Sequence, residues 1–161
     1  LIMITENAQR QNLNDYDLIV SLIHFLAVST NTSDDEVRNF LNKIKNMESG
    51  KIKSFSIDDK KFQKVLEYNI EKTDKYSLKS ITNKLKVLNF HPDIIKAMQE
   101  RKLLYSYAVM LNKIKEEEKM QELLNLFISF EISKDELKAS VKKLTGEDRE
   151  ESPLKKANKA I

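Results

Sequence analysis

Only two glycines and two prolines punctuate this 161-residue chain, and no Asn-Gly or Asp-Gly dipeptide occurs in it. Tight hairpins need residues that tolerate positive φ or preset a turn, so a chain this poor in them has few ways to reverse a strand. Helices joined by short connections remain. The expected fold class is therefore all-α, a multi-helix bundle. With 40% hydrophobic and 33% charged residues the sequence is globular rather than disordered. Its length allows one domain with a real core or two small bundles.

Apolar residues recurring at three- and four-residue spacings predict the helices. Asn14 or Asp15 caps the first, which runs to about Val28 on Leu18, Ile19, Leu22, Ile23, Phe25 and Leu26. Ser33 and Glu36 have capping-box spacing and open a second, to about Asn46, burying Val37, Phe40, Leu41 and Ile44. Residues 47–57 read as a loop broken at Gly50. Ser56 with Asp59 caps a third helix carrying Phe62, Val65, Leu66 and Ile70.

Further helices are expected from Ser77 to about Asn89, from Pro92 to about Lys102, over 104–114, over 116–130, and from a Ser133–Glu136 box to Leu144. Gly146 ends the last, and 147–161 is a charged tail or linker.

The stretch from Lys75 to Phe90 contains no carboxylate. Read as a helix, it stacks Leu78, Ile81, Leu85 and Leu88 on one side. The other positions carry Lys79, Ser80, Thr82, Asn83, Lys84 and Lys86. Hydroxyls and amides can reach base edges or phosphates, and lysines neutralise phosphates, so this composition suits a helix lying in a DNA groove.

The net charge of +3 is too small to indicate nucleic acid by itself, but its distribution is uneven. Residues 34–102 hold 16 basic and 11 acidic side chains, whereas residues 1–33 hold one and three.

Catalysis has little to work with. There is no cysteine, hence no disulfide framework, thiolate nucleophile or cysteine-ligated metal, which fits a reducing cytoplasm. His24 sits in an apolar helix and is expected at its core or edge; His91 precedes Pro92 as a turn residue. Glu116, Glu117 and Glu118 favour a helix N-terminus rather than a metal site. No His-Glu-x-x-His, glycine-rich phosphate loop or Gly-x-Ser-x-Gly occurs. No apolar run is long enough to span a membrane. The opening Leu1-Ile2-Met3-Ile4, without an initiator or a basic signal region, looks like the cut edge of a longer protein.

What remains is a helix-turn-helix type of arrangement, with the capped helix from Ser33 preceding the basic helix from Ser77. About thirty residues separate the two, where such a turn is normally short.

At this point the residues resemble the ParB-type chromosome and plasmid partition proteins. Glu6-Asn7-Ala8-Gln9-Arg10-Gln11-Asn12-Leu13-Asn14 is similar to the Glu-Asn-x-Gln-Arg-x-x-Leu-Asn run that closes the family's nucleotide-binding domain. Ser77 to Leu88 resembles its recognition helix, commonly Ser-x-Ser-x-Val-x-Asn-x-Leu-Arg-Leu-Leu. Pro92, Ile94-Ile95-Lys96, Arg101-Lys102-Leu103 and Ser106-Tyr107-Ala108 follow the pattern Leu-Pro-x-x-Val…Gly-Lys-Leu-Ser-x-x-His-Ala. Ile132 to Leu137 resembles the Leu-Ser-Val-Arg-Glu-Leu opening the last helix.

Departures accompany the match. Tyr107 replaces the histidine, and the serine is displaced by Leu104-Tyr105. Residues 47–75 look like an insertion, whose extra helix either replaces the usual first helix of the motif or packs outside it.

The resemblance implies residues 1–12 as a remnant of an upstream nucleotide-binding domain, 13–145 as the helix-turn-helix domain and 146–161 as a linker. It implies sequence-specific binding to a centromere-like, palindromic duplex by a full-length homodimer. A ParA-type ATPase would engage regions outside this chain, and the location would be cytoplasmic, on nucleoid or plasmid. Lys75, Ser77, Lys79, Ser80, Thr82, Asn83, Lys84, Lys86, Lys102 and Ser106 would meet DNA. Glu6, Asn7 and Arg10 would be an orphaned edge of a CTP and magnesium site, so no cofactor and no enzymatic activity are expected of this chain alone. The competing expectation is a helical protein-interaction module whose basic helix faces solvent or an acidic partner. An RNA-binding role lacks the aromatic stacking sheet of common RNA modules.

Overall fold

The computed structural model describes residues 13–146, in which all regular structure is helical. The chain forms two compact units, one ending at Asn89 and the other beginning at Phe90. The first contains α1 (Asp15–Thr30), α2 (Asp34–Glu48), α3 (Ile57–Glu71), α4 (Leu78–Lys84) and a 3₁₀ helix (Leu85–Asn89). The second contains α5 (Pro92–Gln99), α6 (Tyr105–Asn112), α7 (Glu117–Ile128) and α8 (Lys134–Thr145).

Helix α1 is the hub of the first unit, touching α2, α3, α4 and the 3₁₀ helix. It buries Ile19, Leu22, Ile23, Phe25, Leu26 and Ala27, a surface too broad for a single stripe and suited to a central helix. The Asn14 side chain caps it by accepting the Asp17 N–H at 2.9 Å. On α2 the buried residues are Val37, Phe40, Leu41 and Ile44, a single stripe.

Phe40 carries the next connection. Its ring meets Phe62 of α3 edge-on at 4.8 Å and Phe55 of the connecting loop at 5.8 Å, so aromatic packing seats both on α2. Lys43 adds an ion pair with Asp59 at 2.7 Å. That hydrogen bond holds the Asp59 carboxyl below its ordinary value.

Sequence periodicity misjudged Val65 of α3, which is 44% exposed, and passed over Asn69, which is buried. The Asn69 amide can go inside because its Nδ2 donates to the Val65 carbonyl at 2.8 Å.

Of the two places expected for His24, core or edge, the structure shows the edge: it is exposed, and its Nδ1 lies 2.9 Å from Asp34 at the start of α2. Its position on α1 points it beside an acidic first turn instead of into the apolar hub.

In the second unit α6 contacts the other three helices around Ala108 and Leu111. His91 is the N-cap of α5, its Nδ1 accepting the Asp93 N–H at 3.1 Å and its Nε2 meeting Glu117 at 2.8 Å. Gly146 closes α8 with φ +77°, a left-handed position that glycine adopts without strain. No helix among the described residues is long and apolar enough to cross a membrane.

Candidate nucleic-acid interface

Helix α3 and helix α4 are joined by residues 72–77, and this short connection is latched from inside. Thr73 is buried; its hydroxyl donates to the Ile70 carbonyl at 2.6 Å and accepts the Tyr76 N–H at 3.1 Å. One side chain thus ends α3 and fixes the direction in which the chain enters α4. Asp74 takes up the reversal with φ +56°, a conformation that aspartate tolerates better than most residues.

Sequence reasoning passed over Thr73. Its signal was a threonine–aspartate pair at a helix end, the composition of a side-chain-closed turn. The helix that leads into α4 is therefore α3, not the one that starts after Ser33. The connection makes the difference: α2 and α3 both contact α4 and α1, but only α3 runs into α4 through a short latched turn.

Helix α4 opens on a reciprocal serine pair. Ser77 Oγ accepts the Ser80 N–H at 3.1 Å, and Ser80 Oγ accepts the Ser77 N–H at 3.0 Å while donating to the Ser77 carbonyl at 2.7 Å. Both serines are exposed, yet both hydroxyls already serve the cap, and the Ser80 proton is committed to the backbone. Leu78 and Ile81 face the core, followed by Leu85 and Val87.

The expected helix to Asn89 is α-helical only to Lys84 and 3₁₀ thereafter. Val87 is fully buried whereas Leu88 is half-buried, because the 3₁₀ segment packs on α1 rather than continuing the stripe of α4.

The structure removes Thr82 from the surface set. It is 2% exposed and its hydroxyl donates to the Lys79 carbonyl at 3.0 Å, so it belongs to the underside of α4. Lys84 is partly withdrawn too, with Nζ 2.6 Å from Asp15 at the start of α1. Lys79 and Asn83, four apart on α4, share one exposed side, and Lys86 is exposed on the 3₁₀ segment that follows. Lys75 is exposed, its ammonium 5.5 Å from the centroid of the Tyr76 ring. Nearby on the α3 side, Lys72 lies 4.5 Å over the Tyr68 ring.

Lys102 and Ser106 belong to the second unit. Both are exposed; Lys102 pairs with Glu100 at 3.1 Å and Ser106 lies in the first turn of α6. Glu6, Asn7 and Arg10 lie outside the described residues. Among the described residues no cluster of His, Cys, Asp or Glu could hold a metal ion.

The exposed side of α4 thus carries Lys79 and Asn83, with Lys86 exposed on the 3₁₀ segment that follows; the stretch is free of carboxylates and braced by Leu78 and Ile81 on α4 and Leu85 and Val87 on the 3₁₀ segment. Lysines of this kind can neutralise phosphates, and an exposed asparagine amide can both donate and accept hydrogen bonds in a groove.

Comparison with known proteins leads to the same place. A family model described as the ParB HTH domain matches residues 60–146, more than half of the chain. It opens within α3, so most of that helix and all of α4 lie inside it. The chain is 27% identical over 157 residues to a probable plasmid-partitioning protein ParB of Thermus thermophilus. That match covers 97% of this chain and 52% of the Thermus protein, so the chain spans about half the length of its relative. No solved structure matches. An all-helical chain with a braced, carboxylate-free helix entered across a latched turn, and matched over both by this model, belongs to the ParB helix-turn-helix family of DNA-binding domains.

Proposed function

We propose that the chain binds a centromere-like DNA site in a sequence-specific way and serves plasmid or chromosome partition. The observation that carries this reading is the exposed set Lys79 and Asn83 on α4 and Lys86 on the 3₁₀ segment after it, in a stretch whose apolar side chains are locked into the core. Within that set Asn83 is the base reader, because an amide can pair with adenine in two directions at once. Lys79, Lys86 and Lys75 hold phosphates, and so contribute to every sequence alike. Ser77 and Ser80 set where α4 begins.

A pair of such domains in a full-length homodimer suits a palindromic site. Any CTP and magnesium chemistry belongs with Glu6, Asn7 and Arg10 in a larger nucleotide domain, and contact with a ParA-type ATPase belongs to other parts of that protein. The relative's name, a plasmid-partitioning ParB, supports the partition role.

The test is selection of bound duplexes from random DNA with the wild-type chain and with Asn83→Ala. A defined, half-site-like motif for the wild type that becomes degenerate at particular positions for Asn83→Ala supports the proposal. Recovery of random sequence by the wild type excludes it.

A further inference from the structure

Helix α7, the turn after it and the start of α6 enclose a groove of about 560 Å³ in the second unit, remote in sequence from α4. Its floor is apolar: Tyr107 and Phe127 pack with ring centroids 5.0 Å apart, and Ile128 and Ile132 extend them. Its lips are Leu104 and Phe130, which are 69% and 93% exposed.

Both lip residues stand where local physics asks for something else. Leu104 is the N-cap of α6 and supplies no capping hydrogen bond, at a position that favours Ser, Thr, Asp or Asn. Phe130 has φ +61°, a left-handed conformation that suits Gly or Asn and disfavours a bulky side chain. Two large apolar groups are therefore held in water, at positions where polar residues would stabilise the fold, and they face the same groove. Departures from local consistency that cost stability mark places where another requirement acts.

The charge around the groove identifies the occupant. Its polar rim carries Arg101, Lys102 and Lys134, and no carboxylate lines it. Lys134 lies 5.9 Å over the Tyr107 ring, and Lys102 also meets Glu100. We propose that this groove is a docking site for a short acidic protein segment, whose apolar side chains cover Leu104 and Phe130 while its carboxylates meet the cationic rim. An apolar floor makes a nucleic-acid strand the poorer fit, and a rim of one sign calls for its opposite.

A displayed random-peptide library panned against the immobilised full chain tests this, with Phe130→Asn and Leu104→Ser as parallel baits. These variants remove the apolar lips while supplying residues that suit the local backbone, so both should fold; circular dichroism and unchanged binding to random duplex DNA verify it. Wild type should enrich peptides combining leucine or aromatic residues with Asp and Glu. A synthetic peptide from the enriched set should bind roughly tenfold or more weakly to Phe130→Asn, and its Gln-for-Glu counterpart should weaken similarly.

Absence of enrichment, enrichment without acidic residues, or equal binding by the variants overturns the proposal. So does sedimentation showing that wild type, but not Phe130→Asn, dimerises through this face, which would make a second copy the occupant.

Discussion

Lys84 and Asp15 meet at 2.6 Å, an ion pair that joins the last residue of α4 to the first residue of α1 across 69 positions of sequence. The lysine that composition alone places on DNA is thereby partly spent on orienting the helix that carries the others. Its loss should be felt as stability first. Lys84→Met is expected to cost up to about 1 kcal/mol, the range of a half-exposed pair, in urea denaturation. Its salt slope for DNA binding should stay near that of wild type. Lys79→Ala and Lys86→Ala should each lower that slope by about one while leaving stability unchanged. A fall in slope for Lys84→Met equal to theirs would return Lys84 to the phosphate contacts.

The Thr73 latch makes a sharper stability prediction. Thr73→Val keeps the shape of a buried side chain but deletes the hydroxyl that serves Ile70 and Tyr76. The expected loss is about 1–3 kcal/mol, since a polar backbone group loses its partner in a buried turn. Thermal and urea unfolding read it directly. An unchanged midpoint would mean that the turn is held by something else.

Neighbouring residues on α4 should behave in opposite ways. Thr82→Val, on the buried underside, should leave the preferred DNA sequence untouched. Asn83→Ala should relax it, with about 1–3 kcal/mol of discrimination lost at the position read. Anisotropy titrations against single-base variants of the selected site measure both, and sequence relaxation by Thr82→Val would refute the placement of that side chain.

Acid should loosen the seat of α3. Hydrogen bonding to Lys43 leads the causes that depress the Asp59 carboxyl below its ordinary 3.8. A depressed folded value means stability that is present above the unfolded value and is lost as the pH falls through the folded one. The contribution should therefore fade only below about pH 3.8. Stability measured from pH 6 to pH 2 should fall less steeply at the acid end for Lys43→Met than for wild type. Parallel curves would show that the pair does not couple to folding.

The two groove lips predict gains rather than losses. Leu104→Ser should add about 1 kcal/mol by capping α6. Phe130→Asn should add about 0.5–1 kcal/mol by relieving a left-handed phenylalanine. Differential scanning calorimetry of each variant checks this, and a lowered melting temperature for both would show that the exposed rings and chains stabilise the unit after all.

The sequence by itself determined the helical class, the helix starts and the family. Those are local properties. Asn14, Ser33, Ser56, Ser77 and Ser133 each accept an amide a few residues ahead, and Gly146 closes its helix in the left-handed region, so a reader of three- and four-residue spacings finds them.

What only the tertiary structure decided are the relations that no short window contains. Packing seats the 3₁₀ segment at the end of the basic stretch on α1, and the packing of α4 on α1, α2 and α3 buries Thr82 beneath a row that composition treated as uniform. It also brings Lys84 to Asp15, while the packing of the second unit sets Leu104 and Phe130 in the lining of one groove. Periodicity reports which way a side chain points from its own axis. Which neighbour waits there depends on how whole helices are placed, and in the first unit that is fixed by the burial of α1, a contribution spread over the entire unit.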